Sequence, residues 1–340
     1  QYANIAAGAA LHYIFETQHE RVAHISKITR IEEDRHVWLD RFTIRNLEIL
    51  TSLNENGLSL FEIIDTTSSP MGARMLRQWL SLPLKEKVLI DQRLNSVEYF
   101  ISEPTLSEDL IKQIKLIGDL ERIISKAAVA RINPREMLQL KRSLDAIVPI
   151  KTICEQANES ALKQIGEQLN ACTIINERIS KELHPDAPAL LNKGNVIAKG
   201  VHKELDSLRH IVHDGKSYLL EIQQREIENT GISSLKISYN NVFGYYLEVT
   251  NAHKSKVPES WIRKQTLVNA ERYITPELKE YEEKIVGAEE KINALEIKLF
   301  TDLVLAVAEY VKPIQLNAHL IARLDCLLTF ANNAIQNNYV

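Results

Sequence analysis

Two stretches of the chain carry apolar residues at alternating spacings of four and three. Val201, Leu205, Leu208, Val212, Gly215, Leu219 and Ile222 keep this beat in the first stretch. Leu278, Tyr281, Ile285, Ala288, Ile292, Leu295 and Leu299 keep it in the second. Such spacing draws a narrow apolar seam down one side of a helix, and two seams of similar length zip together. A run of about 25 residues makes a helix about 38 Å long at 1.5 Å per residue. Between the stretches the period changes. Helical rhythm fails at Asn229-Thr230-Gly231, and Leu235, Ile237 and Tyr239 then alternate with Lys236 and Ser238, the pattern of a half-buried strand. Asn240 to Gly244 supplies a hairpin-like reversal, Tyr245 to Thr250 is rich in strand formers, and Trp261 to Ile274 reads as one or two further strands. Thr275-Pro276-Glu277 opens the returning helix with a hydroxyl cap, a proline in the first turn and an acid at the positive dipole end. The pattern predicts a long antiparallel two-helix arm carrying a small antiparallel β-sheet at its tip.

The rest of the chain reads as helix, so the fold class is mainly α. Residues 1 to about 30 hold one helix, Ile5 to Gln18, and a short stretch toward Ile25, Ile28 and Ile31, too little for a domain. Thr66-Thr67-Ser68-Ser69-Pro70 is a helix start, followed by Met71, Met75, Leu76, Trp79 and Leu80 before Pro83 ends the run. Amphipathic helices are expected over about 87–102, 106–127, 135–157 and 160–182. Asn133-Pro134 is another cap-and-proline entry, and Pro185 and Pro188 break the pattern before a loop. This half reads as scaffold.

Composition narrows the chemistry. The 340 residues are enough for more than one domain, and the net charge of −4 places any basic surface locally. Cys154, Cys172 and Cys326 are far apart and odd in number, as expected of buried or free thiols in a reducing cytoplasm. No apolar run reaches the ~18 residues of a membrane span, so no membrane partner is expected. His12, His19, His24 and His36 lack tight ligand spacing, and no nucleophile elbow, zinc motif or dinucleotide fingerprint appears. No metal and no catalytic residue is expected.

The strand-rich module departs from the acidic average. Lys236, Lys254, Lys256, Arg263, Lys264 and Arg272 stand against only Glu248, Glu259 and Glu271 between 229 and 275. Lys and Arg neutralise phosphate, and Asn240, Asn241, Gln265, Thr266 and Asn269 can donate to phosphate oxygens. The competing reading is a solvated hairpin dotted with charge. Of Tyr245 and Tyr246, one is expected to face the core and the other the surface.

At this point the sequence resembles a known family. Asn229-Thr230-Gly231-Ile232-Ser233-Ser234-Leu235-Lys236-Ile237, Phe243-Gly244-Tyr245-Tyr246 and the run Arg263 to Glu282 are similar to the clamp domain of the bacterial MutS mismatch-repair family. Asn46 to Ile49, Asp65 to Leu80, Ile117 to Ile123 and Asn133 to Glu136 match further stretches of its helical core in order. The resemblance runs from about residue 30 to the end.

The resemblance implies a lever of packed helices running out to a β clamp that grips duplex DNA by its backbone, without reading sequence. It divides the chain into the end of a connector domain (1–30), lever (31–200), descending arm helix (201–228), clamp (229–275), and returning helix with the end of the lever (276–340). Lys236, Arg263, Lys264, Gln265, Thr266, Asn269 and Arg272 are then the expected phosphate contacts, with Asn240, Asn241, Lys254 and Lys256 beside them. Expected partners are double-stranded DNA, a second MutS subunit in the full-length protein and downstream repair proteins. The expected location is the bacterial cytoplasm, on the nucleoid. The family's mismatch reader uses a Phe-x-Glu motif, which Phe15-Glu16-Thr17 does not match, and its ATPase uses a Gly-x-x-x-x-Gly-Lys-Ser/Thr loop, which this sequence lacks. This chain is therefore expected neither to find a mismatch nor to hydrolyse ATP, and to hold no cofactor. ATP and Mg belong to the full-length parent. The rival class is an arm whose tip pairs with protein, which an exposed apolar patch at the tip would favour; an enzyme is the third and weakest.

Overall fold

The structure is a computed structural model that describes residues 2–18, 25, 33–240 and 244–339. Helices α1 (Tyr2–Gln18), α2 (Arg41–Asn46), α3 (Leu60–Ile64), α4 (Pro70–Ser81), α5 (Lys87–Ser102), α6 (Pro104–Ile114) and α7 (Leu120–Ala128) come first. They are followed by α8 (Pro134–Gln156), α9 (Ser160–Gln168), α10 (Thr173–Glu182), α11 (Lys203–Thr230), α12 (Pro276–Ala308) and α13 (Val311–Asn337). Strands β1 (Lys236–Asn240), β2 (Gly244–Thr250), β3 (Ile262–Thr266) and β4 (Ala270–Ile274) lie between α11 and α12. The fold is mainly α with one small antiparallel sheet. Of the stretch expected to end a connector domain, α1 and Ile25 are described; Ile28 and Ile31 lie outside the described residues.

The chain divides into two compact units, Gln1–Leu190 with Thr301–Val340, and Leu191–Phe300. In the first, α13 is the core helix. Ile314, Ala318, Ile321, Leu324, Leu327 and Leu328 are among its buried residues, so it is apolar on nearly every side, as a fully enclosed helix must be. Three of its buried polar side chains tie down chain outside the helix. Asp325 accepts from Ser68 N (2.8 Å), Ser69 N (2.8 Å) and Ser69 Oγ (2.7 Å) at the start of α4. Asn317 and Asn170 exchange two hydrogen bonds, and Asn333 Nδ2 donates to Ile64 O.

Two spans expected as single helices are broken, each at such a polar tie. The 106–127 span is α6 and α7, separated where Gly118 N donates to Ser143 Oγ (3.0 Å) and Asp119 caps α7 by accepting from Arg122 N. The 160–182 span is α9 and α10, separated where Asn317 holds Asn170 and Cys172 takes a left-handed backbone (φ 48°). Helical periodicity carries through both breaks because Ser143 and Asn317, which hold the chain there, are distant in sequence. The cap-and-proline entries form as expected: Ser69 and Asn133 accept from the third amide of α4 and α8, with Pro70 and Pro134 in the first turn.

The second unit holds the arm. Arg209 pairs with Glu296, Lys216 with Glu289, Tyr218 stacks on Tyr281 at 4.1 Å, and Arg225 pairs with Glu277. One number rises as the other falls, so α11 and α12 run antiparallel. Their 28 and 33 residues make rods of about 42 and 50 Å at 1.5 Å per residue. On α11 the seam buries Leu205, Leu208, Gly215, Leu219 and Ile222. On α12 it buries Leu278, Ile285 and Ala288, then passes to Glu296 and Phe300, while Leu295 and Leu299 are only half-buried. A straight helix turns once in 3.6 residues, so a strict seven-residue repeat drifts about 20° per heptad and the buried face moves on.

Candidate nucleic-acid interface

The sheet begins where α11 ends. Gly231 takes φ 65° beyond the last turn and donates to Ile227 O, an αL cap that a residue with Cβ fills only under strain. Strand order is β1-β2-β4-β3, all neighbours antiparallel. Alternation along the strands gives the sheet two unlike faces. On one, Leu247, Val249 and Tyr273 join Leu219, Ile222, Leu278, Ile285, Ile232, Leu235 and Trp261 in a single core, with Ile237 and Tyr245 partly buried against it. Each fully buried aliphatic or aromatic side chain contributes about 1.5–3 kcal/mol, so this core roots the sheet on the helix pair. Both helices also reach the backbone: Gln223 Oε1 accepts from Ile237 N (2.9 Å) on edge strand β1, and Glu282 Oε2 accepts from Tyr245 N (3.2 Å) on β2.

The other face is polar. Cross-strand pairing lines up Lys236, Glu248, Arg272 and Gln265 in one row across all four strands. Arg272 Nε donates to Glu248 Oε2 (3.2 Å), Arg272 NH1 donates to Gln265 Oε1 (2.8 Å), and its guanidinium lies 4.3 Å from the centre of the Tyr246 ring. Tyr246 therefore points outward and is still buried, covered by Arg272. Tyr245 turns inward against Tyr239, with ring centres 5.0 Å apart.

The cations expected to meet phosphate fall into three groups. Lys254, in a 3₁₀ turn (Asn251–Lys256), and Arg263, on β3, both reach the buried carboxylate of Glu271, at 3.0 and 3.5 Å. The Tyr273 hydroxyl donates to the same carboxylate. That hydroxyl and Lys254 hold the Glu271 carboxyl below its ordinary range, and burial, together with Glu271 itself, pushes Tyr273 up to about 12. Arg272 is engaged in the row, and Lys256 Nζ donates to Gly231 O. Lys236 on β1 and Lys264 on β3 are exposed and have no ion-pair partner among the described residues.

The amide and hydroxyl candidates are as divided. Thr266 and Asn269 are exposed, at the end of β3 and in the turn into β4. Gln265 is bonded to Arg272, and Asn240 is half-buried opposite Gly244. Asn241 lies outside the described residues. Sequence reading missed Glu271, Gln223 and Glu282 as the groups that collect or anchor the module. Their partners are set by strand pairing and by helix faces, and no local pattern marks them.

Fold and site together define a helical domain that carries a small sheet on an antiparallel helix pair, with a cation on each edge strand. The family model described as MutS domain III matches residues 42–331, and the chain belongs to that family. It is 60% identical over 336 residues to the DNA mismatch repair protein MutS of Parabacteroides distasonis, and 60% identical to that of Phocaeicola vulgatus. Identity to the MutS of Flavobacterium johnsoniae is 56%. Each alignment covers 99% of this chain and 39% of the relative, so the chain spans about two fifths of the length of these curated relatives. Among the described residues no helix is long and apolar enough to cross a membrane, and no cluster of ligating side chains is placed to hold a metal.

Proposed function

We propose that the sheet is the backbone-gripping clamp of a MutS-type DNA mismatch repair protein, holding duplex DNA without sequence preference. One observation carries the reading. Lys236 and Lys264, which have no ion-pair partner among the described residues, stand on opposite edge strands of a sheet whose outer face is polar, in a chain of net charge −4. Three strand spacings of about 4.8 Å separate the edges by about 14 Å, enough to touch phosphates several steps apart at 3.4 Å per step. Thr266 and Asn269 add neutral donors on the β3 side. Lys254, Arg263 and Arg272 serve first to hold the module together, and reach phosphate only by leaving or sharing their carboxylates.

A protein-docking tip draws support from Tyr239, Ile262 and Val268, which are 50%, 52% and 90% exposed. Tyr239 lies on one edge strand and Ile262 on the other, so they make no continuous patch, and scattered apolar residues need no partner. The cationic edges favour DNA.

Duplex titrations at several salt concentrations test this. Lys236→Ala and Lys264→Ala are each expected to lower the slope of log affinity against log salt by about 0.9, alike for duplexes of any sequence. An unchanged slope in both, or a loss confined to one sequence, would end the proposal. We further propose that α12 relays nucleotide state from the ATPase of the longer protein, because one unbroken helix leads directly from β4. In a full-length relative, proline at the position of exposed Glu290 is expected to abolish the effect of ATP on DNA affinity while DNA binding without nucleotide survives. Coupling that persists through the broken helix refutes the relay.

A further inference from the structure

A cleft of about 250 Å³ in the helical unit is lined by Trp79 of α4, Gln92 and Arg93 of α5, and His319 and Arg323 of α13, over an apolar floor that includes Met75. Arg93 is half-buried, its guanidinium 3.5 Å from the centre of the Trp79 ring. Stacking occupies a face of the guanidinium and leaves its fork of N–H groups free in the plane. Acids of the surrounding elements are engaged elsewhere. Asp119 and Glu121 pair with Arg74, Asp91 lies beside Lys87, and Asp325 is turned to Ser68 and Ser69. Neither Arg93 nor Arg323 has a carboxylate partner among the described residues.

Two cations held together in a half-desolvated cleft repel each other unless an anion lies between them. Burial first, and the neighbouring Arg323 second, push Arg93 down to about 10, and the same two causes lower His319. Gln92 and His319 add neutral donors at the exposed rim. Two guanidinium forks match a tetrahedral oxyanion better than a single planar carboxylate, and a phosphate group brings −1.5 to −2 charges at pH 7. We propose that this cleft binds a dianionic phosphate group, free or on a small molecule, clamped between Arg93 and Arg323 so that it bridges α5 and α13.

The test follows the Trp79 indole N–H by NMR, with Trp79→Phe to assign it among the three tryptophans. The 340-residue chain is titrated with inorganic phosphate, glycerol phosphate or acetate, each replacing chloride at constant ionic strength. A saturable shift is expected with phosphate, and the tighter of the two phosphates identifies the source. Acetate is expected to bind at least about tenfold more weakly, and Arg93→Gln and Arg323→Gln are each expected to weaken phosphate about tenfold or more, the loss of a charge-assisted pair. Phosphate is also expected to raise the melting temperature of the parent chain and not that of Arg323→Gln. Absence of a saturable shift, acetate binding as tightly as phosphate, or unchanged affinity in the variants overturns the proposal. Should Arg93→Gln unfold on losing its ring contact, Arg323→Gln decides alone.

Discussion

Glu271 shows how one buried carboxylate settles what its neighbours do. It accepts from the Tyr273 hydroxyl and pairs with Lys254 and Arg263, so two of the module's cations answer to the fold before they answer to a ligand. Its folded carboxyl titrates below the ordinary value near 4.5. The unfolded chain therefore binds the extra proton, and the stability that Glu271 lends is complete above the ordinary range and fades as pH falls through its lower folded value. Acid titration of the chain, followed by Trp261 fluorescence at the sheet core, is expected to show this loss, and Tyr273→Phe is expected to move it to higher pH. A transition indifferent to Tyr273→Phe would show that the hydroxyl does not hold the carboxylate. Nothing local in the sequence separates Lys254 and Arg263 from Lys236 and Lys264 as cations of the module. What separates them is distance to Glu271, and residue type does not carry it.

At the scale of elements, the two arm helices come into close contact at Gly215. A Cβ built there lies 2.7 Å from Ile285 Cγ1, closer than packed side chains approach. In a free helix Gly costs about 0.5–1 kcal/mol relative to Ala; here the close approach reverses the sign. Gly215→Ala is expected to destabilise the arm by about 1–3 kcal/mol in urea denaturation, and adding Ile285→Val is expected to recover part of it. A stabilising Gly215→Ala would show that the seam is looser than its geometry. The seam, the caps at Ser69 and Asn133 and the period-two strands were legible in the sequence, because each is a property of residues within one or two turns of each other. Glu296 on the seam was not. Arg209 NH2 donates to its Oε1 at 2.6 Å and Val196 N donates to the same oxygen, so a buried acid is held by groups that come from elsewhere in the chain. The breaks at Gly118 and Asn170 were hidden for the same reason.

Across the whole molecule, the helical unit and the arm unit each bury a core of their own. Independent cores melt independently unless the chain between them enforces cooperation. Calorimetry is expected to return a van't Hoff enthalpy well below the calorimetric one, with Trp261 in the core under the sheet and Trp79 in the helical unit reporting different midpoints. A single coincident transition would show one cooperative body. Amino-acid order alone determined the helical class, the arm, the strand-rich insert with its local excess of cations, and the motifs that place the chain in its family. Each depends on neighbours in sequence, where 3.6-residue and 2-residue periods and capping chemistry operate. Tertiary structure alone decided which cations stay available, where helices break, and that Trp79, Arg93 and Arg323 converge on one cleft. Those outcomes depend on burial and on charge pairs between residues that fold brings together from as far apart as α4 and α13, and energies of that kind have no expression along the chain.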